Sequence, residues 1–141
     1  MSSSDSVVIK TDLSPDKEKN EFIKEKLYQF NVEKVGKDEQ YSIFAYHQDQ
    51  IIGGVLVNAE KSSIFIEILW VDKLWRGQDI GSKLVLAAEQ EGLNRNIFYS
   101  TTDTYSFQAV DFYIKNGYSE IGRIKAHIEG HDRVFFRKKL K

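Results

Sequence analysis

The chain has 141 residues, of which 41% are hydrophobic and 13% aromatic, and its 20 basic and 21 acidic residues leave a formal net charge of −1. This composition is typical of a globular protein, and the length fits one full core, so we expect a single domain over residues 1–141. The balanced charge argues against a nucleic-acid partner, because such binding needs a clustered basic face. The basic end formed by Lys138, Lys139 and Lys141 is expected to be a solvated tail.

The sequence contains no cysteine, which excludes disulfides, thiolate nucleophiles and cysteine-based zinc sites. The three histidines, His47, His127 and His131, lie far apart without the spacing of metal ligands, so we predict no bound metal. No apolar run approaches the roughly 18 residues of a membrane span. The polar start, residues 1–6, has no apolar core of a signal peptide, and residues 1–5 are expected to be frayed. We therefore expect a cytoplasmic protein that does not bind a membrane.

The first elements are predicted to be a strand and a helix. Three consecutive β-branched residues indicate a short strand within residues 6–10. Ser14 and Pro15, followed by acidic residues, are typical of a helix start with Ser14 as its N-cap. Apolar residues at helical spacing predict that this helix covers about 15–30, and the polar stretch 36–40 is predicted to be a loop.

Three strands follow, and the third of them is nearly all apolar. Residues 41–47 and 51–57 are predicted strands joined by a tight polar turn. The glycine pair Gly53 and Gly54 inside the second strand indicates a bulge or a close approach of two backbones. Residues 64–71 are almost entirely apolar, which is typical of a central strand covered on both faces.

The second half of the chain alternates helices and strands. The predicted segments are a helix over about 78–92 capped by Gly92, a strand over 96–100, a polar loop over 101–105, a helix over 107–115 that stops at Asn116 and Gly117, and strands over 118–128 and 133–140. The order βαβββαβαββ predicts an α/β fold, in which a mixed, mainly antiparallel sheet is flanked by helices on both faces.

The most informative stretch runs from Leu69 to Leu84 and is predicted to form a strand, a turn with two glycines and an amphipathic helix. Such a turn directs backbone N–H groups and the positive end of the helix dipole at one place, which makes an anion site, most often for phosphate. Glycine suits this turn because a side chain with a Cβ would block the close approach of the backbone to an anion, or would have to adopt a φ that is rare for other residues. The spacing Arg76-x-x-Asp79-x-Gly81 is similar to the pyrophosphate loop of the GNAT N-acetyltransferases, with Asp79 at the family's first glycine.

A second stretch, from Ser106 to Tyr118, resembles the GNAT signature Asn-x-x-Ala-x-x-x-Tyr-x-x-x-Gly-Phe/Tyr, with Ser106 in place of the asparagine. Together the two stretches resemble a small bacterial subgroup of the family, which implies a GNAT-like fold and acetyl-CoA as cosubstrate. We expect Asp79 to point outward and to weaken rather than abolish CoA binding, and the Ser106 hydroxyl to replace a hydrogen bond. The cofactor-binding residues that the resemblance implies are Leu69, Val71, Arg76, Gly77, Gln78, Asp79, Ile80, Gly81, Ser82, Ser106, Ala109 and Phe112.

Two residues are predicted to move protons. Tyr113 falls where the family places the tyrosine that protonates the leaving thiolate, and a phenol beside the sulfur is able to pass a proton as the C–S bond breaks. Glu67, inside an apolar strand, is the first candidate for the base; we expect it to be half-buried with a raised pKa. Its alternatives are a structural acid paired with a cation, or the edge of the acceptor pocket. His131 is the second candidate base, whereas His47 and His127 are expected to be structural.

The resemblance implies direct attack of an amine on acetyl-CoA in a ternary complex, with no covalent enzyme intermediate. The acceptor pocket is expected near Phe30, Asn31 and His131, whose polar and aromatic character favours a small amine or amino acid. Two alternatives stay open, namely a non-catalytic CoA-binding or sensor module and an acetyltransferase of protein lysines or N-termini. The exposed edge of a final strand is able to pair two chains, so a homodimer is also considered.

Overall fold

The computed structural model describes residues 6–141, so the expected fraying of residues 1–5 lies outside the described residues. Two compact units follow one another along the chain, with the boundary between Gly36 and Lys37. The single domain expected over residues 1–141 stays a prediction. Within residues 6–141, no helix is long and apolar enough to cross a membrane.

The first unit contains one helix, α1, over Lys17–Val35. Its N-cap is Asp16, whose carboxylate accepts hydrogen bonds from the backbone N–H groups of Glu18 at 2.9 Å and Lys19 at 3.2 Å. The predicted cap at Ser14 is therefore wrong, because an aspartate two residues later satisfies two of the free N–H groups at the helix start. The strand predicted within residues 6–10 is also wrong, since these residues are exposed and pair with no strand.

The second unit is a six-stranded sheet with two helices. Its elements are β1 Glu39–His47, β2 Gln50–Ala59, β3 Ile64–Val71, a 3-10 turn Lys73–Trp75, α2 Ile80–Asn94, β4 Tyr99–Tyr105, α3 Val110–Lys115, β5 Ser119–Ile128 and β6 His131–Lys139. The strand order is β1-β2-β3-β4-β6-β5, in which only β3 and β4 are parallel neighbours. The mixed, mainly antiparallel sheet flanked by helices is thus confirmed.

The hydrophobic core lies between α2, α3 and one face of the sheet. Its members are Val55, Val57, Ala59, Ile64, Ile66, Leu84, Val85, Ala88, Ile97, Tyr113, Tyr118, Val134 and Phe136. Residues from β2, β3 and α2 join residues from α3 and β6 in this one cluster, so both helices of this unit lie on the same face. The expectation of helices on both faces of the sheet stays a prediction.

One buried charge lies within this core. Glu89 on α2 is only 5% exposed. Its carboxylate accepts hydrogen bonds from the Lys138 ammonium at 2.9 Å and from the Tyr118 hydroxyl at 2.9 Å. Lys138 also donates to the backbone carbonyl of Asn116 at 2.9 Å. The expected solvated tail is therefore wrong for Lys138, which a buried carboxylate holds against the core.

Several boundaries differ from the prediction. Helix α1 ends at Val35 rather than near residue 30, and α3 begins at Val110 rather than at residue 107. Two further differences concern α2 and β4. Helix α2 does not stop at Gly92 but continues to Asn94. Gly92 instead lies in close contact with β3, since a Cβ there would lie 3.1 Å from Ile64 Cγ2. Strand β4 covers 99–105, where a loop was predicted over 101–105. Its hydroxyl side chains stay buried by bonding to a neighbouring strand, as Thr102 Oγ1 does with the Ile66 carbonyl at 2.9 Å.

The parallel strands β3 and β4 pair only at their beginnings. The last paired residues are Ile66 and Thr102, after which β4 no longer covers the edge of β3. At the same place the register between β2 and β3 shifts by one residue at Glu67, which is a β-bulge. The bulge and the end of pairing open a gap beside the second half of β3, and the candidate site lies at this gap. The glycine pair in β2 marks a close approach nearby, since a Cβ on Gly53 would lie 3.0 Å from the Trp70 carbonyl oxygen.

Candidate functional site

An open cleft of about 640 Å³ lies where β3, the loop after it and α3 meet. Its lining residues are Leu69, Trp70, Val71, Trp75, Arg76, Gly77, Asp79, Ile80, Gly81, Ser82, Phe107, Gln108, Ala109, Phe112 and Lys115. The cleft unites the two stretches that the sequence singled out, and it contains ten of the twelve predicted cofactor-binding residues; the two outside it are Gln78 and Ser106. Trp70, Trp75, Phe107, Gln108 and Lys115 line it without having been predicted, although each lies within or next to one of those stretches.

The free edge of β3 supplies backbone donors to this cleft. The Asp72 N–H donates to the Ile52 carbonyl on β2 at 2.7 Å. The N–H groups of successive residues along a strand point to opposite edges of that strand. The N–H groups of Val71 and Leu69 are therefore directed away from β2. They face the gap where β4 no longer pairs with β3. The same two residues were expected to bind the pantetheine arm, and this stays a prediction.

The start of α2 supplies a second set of donors. The first intrahelical bond at this end joins the Lys83 N–H to the Asp79 carbonyl at 3.0 Å. The N–H groups of Ile80, Gly81 and Ser82 have no acceptor among residues 6–141, and no side chain caps the helix. Free N–H groups and the positive end of the helix dipole together favour an anion at this wall of the cleft.

The loop geometry explains why Asp79 is tolerated at a position where the related pattern has glycine. Asp79 has φ +62° and ψ 16°, the left-handed conformation. Glycine adopts this conformation without strain, and aspartate is among the few other residues found there regularly. Its carboxylate is 74% exposed and lies 4.0 Å from the ammonium of Lys115, at the end of α3.

Arg76 and Trp75 hold the loop against the sheet. Arg76 Nε donates to the Val71 carbonyl at 3.0 Å, which ties the guanidinium to the end of β3 at the cleft wall. The ring of Trp75 packs on the ring of His47 with centroids 4.6 Å apart. His47 thus contacts a residue of the cleft wall, and its structural role stays a prediction.

Tyr113 is buried beneath the cleft and is not among the residues that line it. The side chain is 4% exposed, and its ring packs edge-on against Tyr118 with centroids 5.4 Å apart. Burial raises the pKa of the Tyr113 phenol above its ordinary value of 10, while the neighbouring Thr102 side chain acts in the opposite direction. The phenol is therefore protonated at neutral pH. Phe112, the residue before it, lines the cleft and only partly joins the core.

Glu67 is placed differently from the expectation. The side chain is exposed, not half-buried, and it does not line the cleft. The cause is the β-bulge at this residue, which interrupts the alternation of buried and exposed positions along β3. Its role as a base stays a prediction.

Ser106 has a partner of its own in the structure. Its hydroxyl accepts a hydrogen bond from the Asp132 N–H at 2.9 Å, and its own N–H donates to the Asp132 carbonyl at 2.8 Å. These bonds pin the start of β6 beside the α3 region, and Ser106 does not line the cleft. The predicted contact of this hydroxyl with a cofactor stays a prediction.

His131 contacts an aromatic residue that lines the cleft. Its ring packs edge-on against Phe107 with centroids 4.7 Å apart, and Phe107 lines the cleft. Tyr105 stacks on Phe107 at 5.5 Å and on His127 at 6.0 Å, so four rings continue one wall of the cleft. The other two predicted acceptor residues, Phe30 and Asn31, lie on α1 in the first unit, and their role stays a prediction.

Comparisons with known proteins agree with this arrangement. The profile of the acetyltransferase (GNAT) family matches residues 8–118. The crystal structure of an acetyltransferase from Bacillus cereus is 31% identical, covers 93% of this chain and 98% of its own, and superposes with a TM-score of 0.80. A blasticidin-S acetyltransferase from Streptomyces morookaense is 30% identical over 82 residues, which are 57% of this chain and 60% of that protein.

A further solved structure shares the fold at lower identity. It is an aminoglycoside 6′-N-acetyltransferase complexed with coenzyme A, 20% identical, covering 79% of this chain and 78% of its own, with a TM-score of 0.65. The family match spans most of the chain and includes both stretches that meet at the cleft. This chain therefore belongs to the acetyltransferase (GNAT) family.

Proposed function

We propose that this protein is an N-acetyltransferase that moves the acetyl group of acetyl-CoA to a primary amine of a small molecule. The observation that carries the proposal is the convergence of two sets of backbone N–H groups in one cleft. Those of Leu69 and Val71 are directed away from β2 toward the gap, and those at the start of α2 have no acceptor among residues 6–141. An extended thioester with a pyrophosphate at one end matches this arrangement. Coenzyme A in the aminoglycoside relative supports the choice of cosubstrate.

Each wall of the cleft has its own part in holding acetyl-CoA. The free N–H groups at the start of α2 suit the pyrophosphate, and Arg76 adds a positive charge beside them. The N–H groups of Leu69 and Val71 suit the amide-containing pantetheine arm, and one of them is positioned to stabilise the oxygen of the attacked carbonyl. No side chain of these walls has to act as a nucleophile.

The chemistry requires one proton to leave the amine and one to reach the sulfur. The amine nitrogen forms a bond to the thioester carbon, the C–S bond breaks, and the sulfur leaves as a thiolate. Tyr113 is proposed to protonate this thiolate, because its raised pKa keeps the phenol protonated at neutral pH. Its burial beneath the cleft requires the acyl end of the cosubstrate to reach the gap between β3 and β4.

The base is proposed to be Glu67, acting through water because its carboxylate is exposed on the bulge. His131 is the second candidate, since its ring packs on Phe107 at the cleft wall. The variants Glu67→Gln and His131→Asn distinguish the two. The variant that removes the acidic limb from the pH profile of kcat/KM identifies the base.

A small-molecule acceptor is supported by the relatives. Blasticidin-S acetyltransferase and aminoglycoside 6′-N-acetyltransferase are both named for small-molecule acceptors. The aromatic wall of Phe107, Tyr105 and His131 offers flat surfaces for such an acceptor. We further propose that the protein works in the cytoplasm, alone or as a homodimer, and needs neither a metal nor nucleic acid.

One alternative has a specific observation in its favour. The Ser106 hydroxyl, at the position of the family's asparagine, is occupied by Asp132, and Asp79 places a carboxylate at the anion cleft. Both features favour a non-catalytic CoA-binding module. Such a module binds acetyl-CoA without turnover, so Tyr113→Phe lowers no rate.

The test is a titration of the purified protein with acetyl-CoA by calorimetry, followed by addition of an amine panel and measurement of free thiol. The panel contains small amines, amino acids, and peptides with free lysines or N-termini. Binding with thiol release on small amines supports the proposal, and faster turnover of peptides contradicts the small-molecule acceptor. Binding without release supports the CoA-binding module, and no binding of acetyl-CoA overturns both functions.

A further inference from the structure

The departure from the family pattern at Asp79 has a counterpart on the opposite wall of the cleft. The carboxylate of Asp79 points to the end of α3, where the Lys115 ammonium lies 4.0 Å away. Both side chains are about three-quarters exposed, at 74% and 75%, and both residues line the cleft. The pair therefore joins the start of α2 to the end of α3 at the cleft.

The charge of the cleft depends on this lysine. Its charged lining side chains are Arg76, Asp79 and Lys115, two cations and one carboxylate. Removal of Lys115 leaves Arg76 and Asp79, so the charges of the lining side chains then sum to zero. A carboxylate a few ångströms from a bound pyrophosphate repels it, and a cation beside that carboxylate cancels most of the repulsion.

The pair is better explained by anion binding than by stability. Exposed ion pairs contribute little to the free energy of unfolding, because water and salt screen them. No hydrogen bond links the two side chains to another group among residues 6–141, so neither has another partner in the fold. In the left-handed conformation of Asp79, asparagine is also tolerated, which provides a variant that removes the charge and keeps the backbone.

We propose that Lys115 is a further binding residue of the acetyl-CoA site, where its ammonium neutralises Asp79 and faces the pyrophosphate. This inference rests on the proposed function, since it names a residue that the same cosubstrate contacts. It also explains how a chain with aspartate at the glycine position keeps an anion site: the negative charge that the loop gained is balanced from the end of α3.

The test is a double-mutant cycle on CoA affinity, measured by calorimetry at fixed ionic strength. The variants are Lys115→Met, Asp79→Asn and the combination of both. Lys115→Met is expected to weaken CoA binding roughly tenfold in the wild-type chain but only about threefold in the Asp79→Asn background, because without the carboxylate the lysine has less to neutralise. The matched control is Lys37→Met, an exposed lysine just before β1, which is expected to leave the affinity unchanged.

Dephospho-CoA, which lacks the 3′-phosphate and keeps the pyrophosphate, locates the effect. The loss from Lys115→Met is expected to be the same for CoA and dephospho-CoA. A loss that disappears with dephospho-CoA shows that Lys115 recognises the 3′-phosphate, and this overturns the inference. Equal losses with and without the Asp79 charge also overturn it while leaving the proposed function intact, whereas a wild-type chain that does not bind CoA overturns both.

Discussion

Gly81 at the start of α2 and Phe112 on α3 are in such close contact that the Phe112 ring occupies the space that a side chain at position 81 would need. A Cβ built on Gly81 would lie 3.1 Å from Phe112 Cε1 and 3.3 Å from Cζ. The two residues come from the two separate stretches that the sequence singled out, and both line the cleft. The missing side chain at position 81 thus lets one wall of the anion site rest directly on the other.

The first prediction concerns Gly81→Ala. The methyl group pushes the Phe112 ring toward the open cleft, because that side offers space and the core side does not. We expect acetyl-CoA binding to weaken by about tenfold or more, with a change of less than about 1 kcal/mol in the free energy of unfolding, since alanine favours the helix. Calorimetric titration and denaturant unfolding measure the two effects.

Gly122→Ala is the matched control for this substitution, because nothing lies within 4 Å of a Cβ on Gly122. It is expected to leave CoA affinity unchanged. In the double variant Gly81→Ala/Phe112→Leu the smaller leucine side chain replaces the ring, and this is expected to restore part of the lost affinity for acetyl-CoA. Equal affinity of Gly81→Ala and the wild type shows that this contact does not shape the cleft.

The second prediction concerns Tyr113→Phe, which removes only the phenol oxygen. If Tyr113 protonates the thiolate, kcat falls roughly ten- to ten-thousand-fold while the affinity for acetyl-CoA is kept. Because burial raises the pKa of Tyr113, deprotonation of this phenol does not lower the wild-type rate below about pH 10. The rate falls only when the pH exceeds the raised pKa of Tyr113. Steady-state kinetics across pH, with binding measured separately, check both statements.

Tyr118→Phe separates catalysis from stability. Tyr118 is a second buried tyrosine beside Tyr113, and its hydroxyl donates to Glu89 at 2.9 Å. Loss of this hydroxyl is expected to reduce stability more than Tyr113→Phe does, and to leave kcat nearly unchanged at a temperature where the protein stays folded. An equal loss of rate in both variants argues that burial of the ring pair, rather than proton donation, sets the rate.

Short-range patterns were sufficient to predict the loop and its helix. Glycines, Arg76 and the apolar spacing after them identified the start of α2 to within two residues. The stop of α3 was predicted from Asn116 and Gly117, and the observed φ of Gly117, +92°, is one that glycine adopts without strain. The fold class followed from the order of such segments. These features depend on conformational preferences of neighbouring residues, so the sequence alone contains them.

The features that sequence reasoning missed depend on distant partners. Lys138 is half-buried because it pairs with Glu89, which lies 49 positions earlier in the chain. The polar residues of β4 become a strand because Thr102 bonds to a carbonyl of β3, 36 positions away. Glu67 is exposed because a bulge, set by the pairing of two strands, breaks the period of two. No local pattern reports these contacts.

The third prediction concerns the buried carboxylate of Glu89 and its half-buried partner Lys138. Lys138→Met leaves the Glu89 carboxylate, which is 5% exposed, without its cation. We expect a loss of about 3 kcal/mol in the free energy of unfolding, since an unpaired buried charge is strongly destabilising. The double variant Glu89→Gln/Lys138→Met is expected to recover a large part of this loss.

Lys139→Met is the control for the third prediction, because Lys139 is exposed on the same strand. It is expected to change the stability by less than about 0.5 kcal/mol. Chemical denaturation at pH 7 measures all of these variants. Equal stability of the Lys138 and Lys139 variants contradicts the buried pair.

The fourth prediction concerns stability at alkaline pH. Burial raises the pKa of Tyr41 from 10.0 to about 12, and its hydroxyl donates to the Ala88 carbonyl of α2 at 2.7 Å. A group with a raised pKa in the folded state gives stability that is complete below the unfolded value and is lost as the pH rises through the folded value. The contribution of Tyr41 is therefore full below pH 10 and decreases between about pH 10 and 12.

Tyr41→Phe tests this contribution. It is expected to lower the free energy of unfolding by about 1 kcal/mol at pH 7, through loss of the hydrogen bond, and to make its decline between pH 10 and 12 shallower. The control is Tyr46→Phe on the same strand, whose side chain is exposed and whose replacement is expected to leave the curve unchanged. Denaturant unfolding at a series of pH values measures the free energy of unfolding of all three proteins. Parallel curves for wild type and Tyr41→Phe mean that this phenol does not link folding to alkaline pH.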